Sequence, residues 1–206
     1  MREPTEAQFL KDVAAHVMTV EQDNGVHRCL HFGKPGTGCM HFRIVTWPGY
    51  LAFSGDMGGF VFTRTRDMLE FFRGRDEGPI STNPSYWAEK LEACDRNGGF
   101  DQFSPELFRS SVEEIMEQCE YPKDMREQVR REVFSELDDG EHAAYRALFD
   151  FESDTCNPRF RFDSCDAPRA RVYSYRFLWC CYALVWAIRQ WDARATSTVP
   201  VAPGAK

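Results

Sequence analysis

Apolar residues at Phe9, Leu10, Val13, Ala14 and Val17 recur at helical spacing and predict a first helix over Glu6 to Val17, with Thr5 as its N-cap. The period then changes. Val26 to Phe32, Met40 to Trp47, Tyr50 to Phe53 and Phe60 to Thr63 are rich in β-branched and aromatic residues. They are separated by Gly33 to Gly38, Pro48-Gly49 and Ser54 to Gly59, which predicts strands joined by turns in a small antiparallel meander. Thr65 or Arg66 then opens a helix through Met68, Leu69, Phe71 and Phe72.

From Ser85 onward the pattern is helical almost throughout. Ser104-Pro105-Glu106 reads as an N-cap with Pro at the first helical position. Phe108, Val112, Ile115 and Cys119 predict one buried stripe, and Met125, Val129, Val133 and Leu137 the next, restarted by Pro122. Gly140 breaks the pattern, and Glu141 to Glu152 resumes it. Ser153 to Asp166 reads as a loop with one short extended piece, and Tyr173 to Arg194 as a last helix, apolar nearly all round and so central. The expected fold is α+β, a small antiparallel β-meander packed against a predominantly helical remainder. A single domain is expected over residues 1–195, with helix and sheet over 1–84, mainly helix over 85–195, and a flexible tail over 196–206.

With 43% apolar and 14% aromatic residues in 206, the chain can bury a substantial core. Its longest apolar run, Phe177 to Ile188, is well short of the ~20 residues that span a bilayer. Met1 to Val20 lacks the uninterrupted apolar core of a signal peptide. Without a secretion signal, eight cysteines predict free, mostly buried thiols rather than a disulfide frame. A soluble protein of the cytoplasm is the expectation.

Charge is unevenly distributed. The formal net charge is −7, but residues 101–154 hold sixteen Asp or Glu against six Lys or Arg, while 155–206 hold three against eight. The largest single-sign block is acidic. It favours a partner with a basic surface, or simply solubility, over direct nucleic-acid binding.

Five groups of residues are candidates for chemistry. Cys29-x-His31 and Cys39-x-His41 would put two thiols and two imidazoles on one sheet face in registers that pair odd with odd positions, such as His31 opposite Cys39, and such a set can hold zinc tetrahedrally. The same residues can equally be half-buried members of a sheet face. Lys34, within Gly33-Lys34-Pro35-Gly36-Thr37-Gly38, has the ingredients of a phosphate loop in the wrong order, with a strand following instead of a helix. A type II turn centred on Pro35 and Gly36 accounts for it. Asp56, among the glycines of Ser54 to Gly59, is either a metal ligand or base, or part of a hairpin turn. Asp138-Asp139-Gly140-Glu141-His142 resembles a cation cluster, yet Gly140 is where one helix should end and Asp139 where the next should be capped. Finally, Glu106, Glu113, Glu117 and Glu120 fall at steps of seven, four and three, with Asp124 and Glu127 beyond Pro122. Carboxylates ~5–6 Å apart along a helix either form an ordinary solvated face or imitate a phosphate backbone.

The motifs His31-Phe32-Gly33-Lys34-Pro35-Gly36-Thr37, Thr46-Trp47-Pro48-Gly49-Tyr50-Leu51 and Gly55-Asp56-Met57-Gly58 resemble those of a family of uncharacterised proteins from phages and prophages of proteobacteria. The resemblance runs on through Tyr86-Trp87-Ala88-Glu89-Lys90-Leu91, Asp139-Gly140-Glu141-His142 and Phe177-Leu178-Trp179-Cys180-Cys181-Tyr182-Ala183. It implies a mobile-element accessory protein in a bacterial cytoplasm and supplies no catalytic residues. Small phage proteins of this type often bind and disable host machines, including CRISPR effectors and restriction enzymes. The expectation is a stoichiometric inhibitor without catalysis. Its acidic face, Glu106, Glu113, Glu117, Glu120, Asp124 and Glu127, would grip the basic surface of a nucleic-acid-binding host defence complex. The alternative is an enzyme or ligand-binding protein acting on a nucleotide or nucleic acid, using Lys34, Asp56 and a zinc site.

Overall fold

The computed structural model describes residues 3–74, 78–96, 98–153, 160–163 and 167–197. Most of the expected tail, and most of the expected loop over 153–166, lie outside those residues. The fold is α+β. Two compact units form, one from the residues up to Phe100 together with Tyr173 onward, the other from Asp101 to Val172.

The first unit holds the sheet. Helix α1 (Glu6–Asp12) starts where Thr5 Oγ1 accepts from the Gln8 amide at 3.2 Å, but it ends five residues before the apolar spacing predicts. Val17 instead opens strand β1 (Val17–Asn24), which pairs along its length with β2 (His27–Gly33). A ladder of backbone hydrogen bonds, broken only by a bulge between Val20 and Gln22, outweighs the weak helical pattern there. Strands β3 (Phe42–Trp47), β4 (Tyr50–Gly55), β5 (Gly58–Thr63) and β6 (Leu91–Cys94) complete six antiparallel strands in consecutive order. Helices α2 (Met68–Phe72) and α3 (Pro84–Ala88) lie between β5 and β6. Strand β6, in a stretch expected to be helical, forms the second edge.

Period-two alternation sends Leu30, Phe32, Phe42, Ile44, Leu51, Phe53, Phe60 and Phe62 to one face, each no more than 2% exposed. Helix α7 (Tyr175–Ser197) covers that face with Phe177, Trp179, Leu184, Val185 and Ile188, as its all-round apolar pattern predicts. Burying each large side chain is worth roughly 1.5–3 kcal/mol relative to leaving it in water. The Trp179 ring meets Phe9 at 5.0 Å and Phe42 at 5.7 Å, edge-on in both cases. Its Nε1 donates to Asp12 Oδ2 at 3.1 Å, so the indole is satisfied as well as packed. Two bidentate pairs at the core's margin, Arg28 with Asp67 and Arg73 with Asp192, tie β2 to α2 and α2 to α7.

The second unit is mainly helical, with Asp101–Phe103 paired to Arg171–Tyr173 and Glu152–Ser153 to Phe160–Arg161 as short strands; its helices are α4 (Pro105–Gln118), α5 (Lys123–Glu132), a 3-10 segment over Phe134–Asp139, and α6 (Glu141–Asp150). Ser104 Oγ accepts from the Leu107 amide at 3.1 Å, with Pro105 inside the first turn, as the sequence predicts. Met125, Val129, Val133 and Leu137 are all buried. The α4 stripe differs from expectation. It runs through Phe108, Val112 and Met116, leaving Ile115 half-buried and Cys119 exposed, because the helix ends at Gln118 before Cys119 can turn inward. Among the described residues, no helix is long and apolar enough to cross a membrane.

Candidate functional site

The acidic residues 106–127 are built by α4, α5 and the turn between them. The turn is a Schellman closure. The Tyr121 amide donates to Met116 O at 3.0 Å, and the Glu120 amide to Glu117 O at 3.1 Å. This geometry puts Glu120 at φ +52, a left-handed conformation that glycine usually supplies. Pro122 then starts α5 without a side-chain cap.

The six carboxylates do not behave alike. Glu106 sits in the first turn of α4, where its own amide and the Ser104 hydroxyl hold its carboxyl below the usual range. Glu113 is claimed by α5: Arg130 Nε and Nη2 donate to its two oxygens, both at 2.7 Å. That bond, reinforced by the charges of Arg130, Arg109 and Arg126, pulls the Glu113 carboxyl down. Glu127 stands 3.9 Å from Lys123 Nζ, a loose surface pair. Glu117, Glu120 and Asp124 are exposed and have no hydrogen-bond or ion-pair partner among the described residues. The line therefore reduces to Glu120 and Asp124 at the turn, with Glu117 and Glu127 beside them, both close enough to feel the Arg130 charge.

Arg130 and Arg171 are the residues that sequence reasoning missed. Each reaches a carboxylate far along the chain, Glu113 and Glu141 respectively, and neither spacing carries a local signal. Arg171 also meets Asp101 Oδ1 at 2.9 Å, so Glu141 belongs to an ion-pair network and not to a cation cluster. Asp138, Asp139 and His142 are exposed, and Gly140 breaks the chain at φ +97. The expected Asp139 cap is absent, since Gly140 itself occupies the N-cap position of α6.

Of the two loop candidates in the first unit, Asp56 reaches the loop that follows Lys34, not Lys34 itself. Thr37 N donates to Lys34 O at 3.3 Å across Pro35 and Gly36, with Gly36 at φ +79, which is the type II turn. Lys34 projects from it exposed. Asp56 Oδ2 accepts from the Met40 amide at 2.6 Å, and Oδ1 lies 3.2 Å from His41 Nδ1. Met40, at φ +58, is also held by His16 Nε2, which donates to its carbonyl at 2.9 Å. Asp56 thus acts as a brace for the strained Gly38–His41 loop.

The zinc set does not assemble. His31 lies opposite Arg43, four positions past the register that would oppose it to Cys39, because the turn consumes all of Lys34–His41 before β3 begins. Cys39 is exposed in that loop. Cys29 Sγ donates to Glu21 Oε2 at 3.1 Å, and burial together with that carboxylate pushes the thiol up. His31 and His41 alone come near each other, with ring centroids 6.0 Å apart. Among the described residues, no three His, Cys, Asp or Glu side chains gather as a metal-holding group.

No family model, no curated protein and no solved structure matches the chain.

Proposed function

We propose that the chain is a non-catalytic binding protein that engages a basic surface on another macromolecule through the Glu117, Glu120 and Asp124 region. In this reading it is a phage-encoded, stoichiometric inhibitor. Its target is a nucleic-acid-binding host defence complex such as a CRISPR effector, whose Lys and Arg would otherwise grip phosphates. The observation that carries the reading is Glu120. An unpaired, exposed carboxylate occupies a backbone conformation that costs a non-glycine residue about 1–2 kcal/mol. An outlier kept at such a cost motivates a role beyond stability. Charge points the same way. Residues 101–172 hold 18 Asp or Glu against 10 Lys or Arg, net −8, which leaves the rest of the chain with 14 against 15, net +1.

The test is affinity capture of the partner from a host lysate by the tagged protein, followed by titration of the purified complex at rising salt. A complex of fixed stoichiometry should form. Its affinity should fall steeply with ionic strength, because exposed charge pairs are screened, and it should fall again when Glu117, Glu120 and Asp124 are all changed to Gln. An affinity indifferent to both salt and the triple substitution refutes the electrostatic reading.

A further inference from the structure

The sheet's second face is not used by either core. Val45, Ala52, Val61 and Ala93 form one row across β3 to β6, directly paired in that order. The next row toward the β3–β4 turn is Trp47, Tyr50 and Thr63. None of these residues belongs to either buried cluster. The Trp47 and Tyr50 rings stack at 5.2 Å with their planes 11° apart, both half-buried.

Two arginines are fixed beside this pair. Arg64 N donates to Gly49 O at 3.2 Å, and Gly49 N donates to Arg66 O at 3.0 Å, so the backbone on both sides of Thr65 is laced to the turn between Trp47 and Tyr50. Both guanidinium groups are exposed, and neither has an ion-pair or hydrogen-bond partner among the described residues. Of the acids around this end, Asp67 pairs with Arg28, Glu70 with Arg73 and Glu89 with Lys90, while Glu92 stands exposed on β6. Outside residues 101–172 the chain holds 14 Asp or Glu against 15 Lys or Arg, so its sequence there is close to neutral.

We infer that this end of the outer sheet face binds single-stranded nucleic acid. Bases would stack on the Trp47–Tyr50 pair, and Arg64 and Arg66 would hold the phosphates. Flat aromatic platforms on open sheets accept any base, because every base presents a π-face, and flanking guanidinium groups supply backbone attraction. A second copy of the chain fits less well. A two-fold contact at this spot brings Arg64 and Arg66 of one copy toward the like-charged pair of the other. This inference is independent of the acidic-surface reading, since it uses different residues in the other unit.

The test is fluorescence anisotropy of labelled single-stranded DNA and RNA of about 20 nucleotides, titrated with the full chain, against a duplex of equal length. Single strands should bind saturably and more tightly than duplex. Trp47→Ala should weaken binding roughly fivefold to a hundredfold, while Trp47→Phe, which keeps a stacking ring, should retain most of it. Changing Arg64 and Arg66 together to Gln should lower the slope of log affinity against log salt by about 1.4, the value for two phosphate contacts on a single strand. Because both arginines are exposed, this variant carries the test even if Trp47→Ala fails to fold. The inference is overturned by any of three results: no binding at roughly 100 μM protein, a range that still covers non-specific association; equal affinity for duplex; or the same affinity in the native and double-arginine proteins. A dimer in sedimentation that Trp47→Ala dissociates would also overturn it, by assigning the face to a second copy.

Discussion

Arg130 closes on Glu113 with two parallel hydrogen bonds, Nε to Oε1 and Nη2 to Oε2, each 2.7 Å long. The pair links α5 to α4 and removes one carboxylate from the acidic line. It is partly exposed, with side-chain accessibilities of 47% and 27%, so its worth is that of a good surface pair, about 0.5 kcal/mol. The Glu113 carboxyl is lowered from its ordinary 4.5 in the folded state. Its contribution is therefore complete above that ordinary value and lost as pH falls through the lowered one. Arg130→Gln should cost about 0.5 kcal/mol near neutral pH, with the difference from the native protein shrinking as pH falls below 4.5. Urea midpoints at several pH values measure this, and a deficit that grows in acid would contradict it.

Glu120 offers an opposite result. A glycine at φ +52 avoids the steric clash that a side chain meets there, and offsets part of that gain through its greater freedom when unfolded. Glu120→Gly should therefore stabilise the protein by about 0.5–1 kcal/mol, seen as a higher urea midpoint, while weakening association with a basic partner. Stabilisation without any loss of binding would detach Glu120 from function. A destabilised variant would mean that the Schellman turn is supported by something other than backbone geometry.

What could be read in the sequence follows from the range of each signal. The central strands were legible because Phe42, Ile44, Leu51, Phe53, Phe60 and Phe62 alternate cleanly between short turns. Strand β1 was not, because Val17 continued a helical spacing and Gln22 and Asn24 end the alternation begun by Met18 and Val20. Strand β6, only four residues long, sits among helical patterns. The acidic spacing on α4 was also legible, since a helix fixes which residues share a face. Its neutralisation by Arg130 was not, because that depends on how two helices pack. The zinc set failed for a similar reason: spacing of two puts Cys29 and His31 on one face, but the register with β3 is set by the length of the loop before it.

Thiol reactivity should divide the cysteines by burial. Burial in α7 pushes the Cys180 and Cys181 thiols far up, leaving almost no thiolate at neutral or mildly alkaline pH. Cys39, Cys94 and Cys119 are exposed. Native protein treated with iodoacetamide near pH 8 should be labelled at those three positions, with Cys180 and Cys181 reacting only after denaturation. Peptide mass spectrometry reads the sites directly. Early labelling of Cys180 or Cys181 would mean that α7 leaves the sheet on the timescale of the reaction.

Gly55 and Gly25 separate two costs that a glycine can hide. Both have positive φ, at +156 and +62, but their surroundings differ. A Cβ on Gly25 would meet nothing within 4 Å, so Gly25→Ala bears only the conformational penalty of roughly 1–2 kcal/mol. A Cβ on Gly55 would lie 2.2 Å from His41 O and 2.7 Å from Phe42 Cα, and both obstacles are backbone. Relief would have to push β3 away from β4 just where Phe42 enters the core and where Asp56 braces Met40. Gly55→Ala should thus lower the thermal midpoint well beyond Gly25→Ala, and it should expose Trp179 to quenchers, since that ring rests on Phe42. Equal midpoints for the two variants would mean that the β3–β4 pairing is looser at this end than its close backbone approach indicates.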